Sequence, residues 1–165
     1  MAFDTISNQI NDALIEVLNG DVQDEFATLE MPAMAVGSLV DEGRMKPEEW
    51  PALYLVDLNE VQRYGDATIN GAEGKQNTSG RYDIVWVVKA SAAVQDVARW
   101  AVAVGDVVRA ALETDWDLGG LVYDVNVDSL ETTDPISSGS ALIARGRAAI
   151  TVLFQRTLTT HGAEA

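Results

Sequence analysis

The sequence predicts an α+β fold: a small mixed, mainly antiparallel sheet of four to five strands, with two amphipathic helices packed on one face and a long projecting hairpin. Three observations predict it. Apolar residues recur at helical spacing over residues 4–18 and 92–113, whereas residues 82–89, 121–128 and 141–157 alternate with a period of two. The order helix, strands, helix, terminal hairpin differs from the strand–helix repeats of a doubly wound nucleotide-binding fold. Finally, 165 residues, 47% of them hydrophobic, suffice for one packed core without staples, so residues 1–165 read as a single domain.

From Asp4 to Leu18, residues Ile6, Ile10, Leu14, Val17 and Leu18 form one helical stripe, with Asn8, Gln9, Asn11, Asp12 and Glu16 off it. Asp4 or Thr5 is placed to accept from the first-turn amides, and Gly20 to supply a left-handed stop. Residues 21–50 are punctuated by acidic residues, Pro32, Gly37, Gly43 and Pro47. There Met34–Val40 reads as a short strand, Glu42-Gly43-Arg44 as a turn, and Pro47-Glu48-Glu49-Trp50 as one helical turn. Pro51 biases Trp50 towards extended backbone, and Ala52–Val56 follows as a short apolar strand.

Residues 59–80 lose the pattern, with Gly65, Gly71, Gly74 and Gly80 among polar residues, and read as a long flexible loop used for contact. Tyr82–Lys89 alternates as a strand partly buried on both faces. Val94, Val97, Ala101, Val104, Val108 and Leu112 then mark a second helix over Ala92–Glu113, with Ser91 as N-cap and Gly105 marking a close approach of another backbone. After a turn at Asp115–Gly120, Leu121, Tyr123, Val125 and Val127 give a strand with one polar face. A loop over Glu131–Ser140 leads to a last strand, Ala141 to about Thr157. Its seventeen residues would extend about 55 Å, so it either bends near Gly146 or projects as an arm. Residues 158–165 read as a frayed tail.

Charge and composition exclude several functions. Lys+Arg number 11 against Asp+Glu 26, a formal net charge of -15, which opposes a phosphate-tracking nucleic-acid binder. Cysteine is absent, which removes thiolate catalysis and Cys-based metal sites. Met1–Thr5 carries no secretory signal pattern, and no run of about 18 apolar residues occurs, so a soluble chain without membrane contact is expected. The Asn77-Thr78-Ser79 sequon has no consequence without export.

No catalytic or metal-binding constellation emerges. The sole histidine, His161, lies in the tail, where a base cannot be held in place. Asp124-Val125-Asn126-Val127-Asp128-Ser129 copies three ligand positions of an EF-hand loop, but Ser129 replaces its glycine and Pro135 stands at the bidentate Glu. On a strand Asp124 and Asp128 lie roughly 13 Å apart, too far for a glycosidase pair. Gly74-Lys75 lacks the rest of a Walker loop. Catalytic residues, metal and cofactors are therefore expected to be none. Asp124, Asn126 and Asp128 read as one solvated or lumen-facing stripe. Trp86 reads as core, whereas Trp50 and Trp116 sit beside turns where an interface role is as plausible as burial.

The chain runs in the order of an amphipathic N-terminal helix, the Trp50-Pro51-Ala52-Leu53-Tyr54-Leu55 strand, a long loop, the Tyr82–Lys89 strand and an alanine-rich helix. Asp117-Leu118-Gly119-Gly120-Leu121-Val122 and a closing strand with Ala144-Arg145-Gly146-Arg147-Ala148-Ala149-Ile150 follow it. Over residues 4–157 this resembles the tail terminator and tail completion proteins of long-tailed bacteriophages and related gene-transfer particles. The resemblance implies a virion structural protein, assembled in the host cytoplasm and not an enzyme, forming a homo-hexameric ring at the head-proximal end of the tail. Implied partners are the tail tube protein and a head-connector or neck protein, with DNA passing through unbound. The hairpin Asp124–Thr151 and the loop 59–80 are the contact surfaces it points to.

On such a ring, Asp124, Asn126 and Asp128 would line the channel and repel phosphate within a Debye length of about 8 to 10 Å, although the same charge would serve solubility equally well. Arg99, Arg109, Trp116, Arg145, Arg147 and Arg156 are the expected subunit-interface residues. Another neck component of the same particle, or a cellular protein-binding module, remains an alternative.

Overall fold

The structure is a computed structural model and describes residues 5–39, 50–63, 75–139 and 141–157. The expected 42–44 turn, the helical turn begun at Pro47, His161 and the 158–165 tail lie outside the described residues.

Helix α1 (Ile6–Asn19) starts where Thr5 accepts from the Asn8 amide at 3.3 Å, and it buries Ile10, Leu14, Val17 and Leu18. Gly20 ends it, but with φ of -101° rather than in the left-handed region. The chain turns there directly into a second helix, α2 (Asp21–Thr28), which the sequence reading missed. Its two apolar anchors, Val22 and Phe26, are spaced i,i+4 and fully buried, while Asp21 and Asp24 favour its N-terminal end. Gln23 ties this helix to its surroundings: Nε2 donates to the Leu18 carbonyl at 3.1 Å and Oε1 accepts from the Met34 amide at 2.9 Å.

Strands β1 (Ala35–Leu39), β2 (Ala52–Arg63), β3 (Lys75–Lys89), β4 (Asp124–Thr132), β5 (Ile136–Ser138) and β6 (Ala141–Thr157) make one mixed sheet in the order β1-β2-β3-β6-β4, with β5 also on β6. Among the described strands only β1 and β2 run parallel. The mixed α+β class holds, but among the described residues the sheet has six strands rather than four to five, and three helices pack on it rather than two.

Two expectations about length are corrected together. Residues 59–63 belong to β2 and 75–80 to β3, so half of the expected loop 59–80 is antiparallel strand. The lengthened β3 then gives β6 a full-length partner, paired from Lys89↔Ile143 to Lys75↔Thr157. The terminal strand therefore does not project as an arm; it is the centre of the sheet. Polar composition hid these strand ends because Gln76 and Thr78, which look like loop residues, are buried.

Helix α3 (Val97–Thr114) is shorter than expected and is capped by Asp96, whose carboxylate accepts from the Arg99 amide at 3.2 Å. Ser91 instead closes a turn, its hydroxyl accepting from the amides of Ala93 and Val94. Beyond α3, Asp115 accepts from the Gly119 amide, and Gly119 and Gly120 take φ of 71° and 89°, a region that favours glycine. That turn returns the chain to β4.

All three helices cover one face of the sheet, where Leu53, Leu55, Tyr82, Ile84, Trp86 and Val88 meet their apolar stripes. The opposite face is buried too at Tyr54, Val56, Val85, Val87 and Ile143. Trp86 sits at the centre of the helix-covered side, fully buried, its Nε1 donating to the Ala101 carbonyl at 3.0 Å. Gly105 is approached by this ring and not by another backbone as expected: a Cβ on Gly105 would lie 3.1 Å from Trp86 Cζ2. On β6 a Cβ at Gly146 would fall 2.1 Å from Trp86 Cε2.

Gly146→Ala is therefore expected to lower stability by about 3 kcal/mol, because the indole must leave both its bed and its hydrogen bond. Gly105→Ala, with less overlap and a helix-propensity gain of about 1 kcal/mol, is expected to fall between that variant and the natural protein. Urea unfolding midpoints of the three proteins check the ranking.

Candidate functional site

The residues singled out from sequence fall in separate places. Arg99 and Arg109 are exposed on α3, ten residues apart and so about 15 Å along the axis. Arg109 Nε donates to Glu113 Oε1 at 2.9 Å, an i,i+4 pair. Arg145 and Arg147 lie on β6, on the face away from the helices. There Arg147 pairs with the buried Asp83 at 3.5 Å, and the Arg145 guanidinium stands 5.9 Å from the Trp50 ring centroid. Arg156, near the end of β6, donates to Gln76 Oε1 at 3.0 Å. Four of the five expected interface arginines thus have an identifiable contact within their own chain.

Asp124, Asn126 and Asp128 do come together, along the edge strand β4. Asn126 and Asp128 are exposed and Asp124 half-buried. The register slips between Val127 and Ser129, so Asp128 is the extra residue of a bulge, and its carboxylate accepts from the Thr151 hydroxyl. A bulge and inward-turned charge on an edge strand oppose pairing with a foreign strand. This edge is a charged rim.

Exposed apolar residues gather at two places along β6. Ile136 pairs with Ile143 at the start of β6, next to Leu142, and both Ile136 and Leu142 are exposed. Tyr123 donates its amide to the Leu153 carbonyl near the other end of β6, and it is exposed like Trp116 at the end of α3. Ten residue steps of extended strand separate Ile143 from Leu153, about 33 Å. Trp116 was expected as a contact residue, and Ile136 and Leu142 fall inside the hairpin Asp124–Thr151 that the resemblance points to, without being singled out there. Tyr123 and Leu142 lie in alternating runs whose register the sequence does not fix, and Ile136 lies in the expected loop 131–140, part of which is strand β5.

A third apolar feature lies between α2 and α3, where Leu29 and Val102 are about half exposed. Val102 lies off the buried stripe of α3, which is its only sequence signal. Among the described residues no group of three or more His, Asp or Glu could hold a metal ion, and no helix is long and apolar enough to cross a membrane.

Comparison with known proteins adds little. No protein-family model and no curated protein matches the chain. One solved structure aligns over 92% of this chain and 98% of its own at 13% identity, with a TM-score of 0.41, a likeness that carries no argument.

One buried titratable group has a measurable signature. Tyr82 is 3% exposed on the helix-covered face; burial, and next the charge of Asp57, push its phenol well above the ordinary tyrosine value. Asp57 is itself held by the Asn11 side-chain amide at 3.4 Å. Below about pH 10 the phenol is neutral in both folded and unfolded chains. Above it the unfolded chain loses a proton that the folded chain keeps, so stability falls as pH rises, by about 1.4 kcal/mol per unit from this group. Tyr82→Phe should remove that part of the alkaline decline, as read from urea midpoints between pH 9 and 11.

Proposed function

We propose that this chain is a non-enzymatic assembly protein of the tail-terminator kind, closing into a ring by head-to-tail contacts and capping a tube. The observation that carries the reading is the pair of unlike apolar ends, Ile136 with Leu142 at one end of β6 and Trp116 with Tyr123 at the other. A ring needs two different surfaces that meet each other, whereas a two-fold dimer uses one surface twice. Charged rims at β4 support contacts by side chains rather than by sheet continuation. Asp124, Asn126 and Asp128 are then available to face a channel, where carboxylates keep passing DNA from adhering. Arg99, the remaining expected interface arginine, and the cation strip Arg145–Arg147 are the groups on hand to offset repulsion between copies that each carry -15. The tail tube protein on one side and a neck or head-connector protein on the other are the partners this reading requires, and the virion its location.

Size-exclusion chromatography with light scattering tests the ring. Six copies of 17.7 kDa give about 106 kDa, alone or with tube protein present. Trp116→Asp and Leu142→Asp should each reduce the protein to monomer with an unchanged circular-dichroism spectrum. Mixing the two variants leaves one intact joint, so the mixture should yield dimers and nothing larger. A natural chain that stays monomeric with tube protein, or variants that fail to rescue each other, would overturn the proposal.

A further inference from the structure

Two adjoining hollows of about 690 and 660 Å³ run along α3, the first against residues 30–32 that follow α2 and the second against α2 itself, and they share Ala103 and Asp106. Along α3 their lining extends from Asp96 to Thr114, eighteen steps or about 27 Å, the length of a five-turn helix. The floor is made of small residues, Ala98, Ala103, Ala110 and Ala111, so that leucine-sized side chains can sink to backbone level. Leu29 and Val102 stand half exposed beside it. The rim is one-sided in charge: Asp21, Glu25, Glu30, Asp96 and Asp106 against the single cation Arg99.

We infer that this groove is a docking site for an amphipathic polypeptide segment of a partner protein, apolar along one face and flanked by lysines or arginines. The apolar floor accounts for leucine-type anchors at helical spacing, as in helix-in-groove recognition. Five carboxylates on the rim favour a basic segment, and they repel an acidic peptide or a nucleic acid by the same interaction. Trp100 lines the same groove and is 5% exposed, so its ring adds to the apolar floor.

The inference does not rest on the ring reading, because the groove is formed within one chain and can be tested on the monomeric Leu142→Asp variant as well as on the natural protein. The probe is a fluorescently labelled eighteen-residue peptide with leucines at i, i+3, i+4 and i+7 and lysines elsewhere, read by fluorescence anisotropy. Two control peptides have the same leucines with glutamates for lysines, and the same composition with leucines scattered around the helix. The lysine peptide should bind at least ten-fold tighter than either control, and more weakly as salt is raised from 50 to 500 mM. Val102→Asp should weaken it at least ten-fold, whereas Val61→Asp, an exposed apolar position on β2, should leave it unchanged. Glu25→Lys with Asp106→Lys should reverse the preference in favour of the glutamate peptide. Equal binding by the Val102→Asp variant, or by the scattered peptide, would overturn the proposal. So would a Val102→Asp variant whose solution mass changes while peptide affinity does not, since the groove would then hold a second copy.

Discussion

The contact of Trp86 with two glycines is the constraint around which the rest is arranged. The indole comes from β3, lies against Gly146 of β6 on one side and Gly105 of α3 on another, and donates to a carbonyl of that same helix. Sheet and helix can approach this closely only because both neighbours lack side chains. The distance between α3 and the sheet is thereby set, and with it the seam into which α1 and α2 fit. Ala101, Val104 and Val108 on one side and Ala144 and Ala148 on the other are small or stiff residues that tolerate such a short separation.

Charge is distributed unevenly around this core. The helical layer carries carboxylates on α1, α2 and α3 with Arg99 and Arg109 as its cations, whereas Arg81, Arg145 and Arg147 project from the other face of the sheet. The cations there are partly spent at home: Arg147 on Asp83 and Arg81 on Glu60. Exposed pairs like the latter contribute little to stability. Their larger effect is on what can approach each face, and the two faces differ.

How much of this was legible in the sequence depended on whether a residue's local pattern agreed with its tertiary setting. Ile10, Leu14 and Val104 repeat at helical spacing and are buried where the period says. Trp86 was readable as core from the alternation of Tyr82 to Lys89. The second helix was hidden because eight residues with only two buried anchors give too short a period to count. The strand ends were hidden for the opposite reason, since Gln76 and Thr78 are polar residues enclosed by packing that no local rule reveals. The polar stripe Asp124, Asn126 and Asp128 was visible as a pattern, but the bulge at Asp128 was not, because the strand was expected to end there and the change of apolar parity from Val127 to Leu130 fell beyond it. The groove on α3 escaped notice because Val102 becomes meaningful only once α2 stands beside it.

The place of β6 has a consequence for synthesis. It is the last of the strands in chain order, yet it sits between β3 and β4, and its pairing with β3 joins residues as far apart as Lys75 and Thr157. A nascent chain emerging from the ribosome has β1, β2 and β3 available early, and later β4, bridged by α3, which touches both β3 and β4. Until Gly146 has emerged Trp86 lacks one side of its bed, and until about residue 157 the facing edges of β3 and β4 stay unpaired. The interval between making β3 and making β6 is therefore the window in which this sheet is open to pairing with a foreign strand.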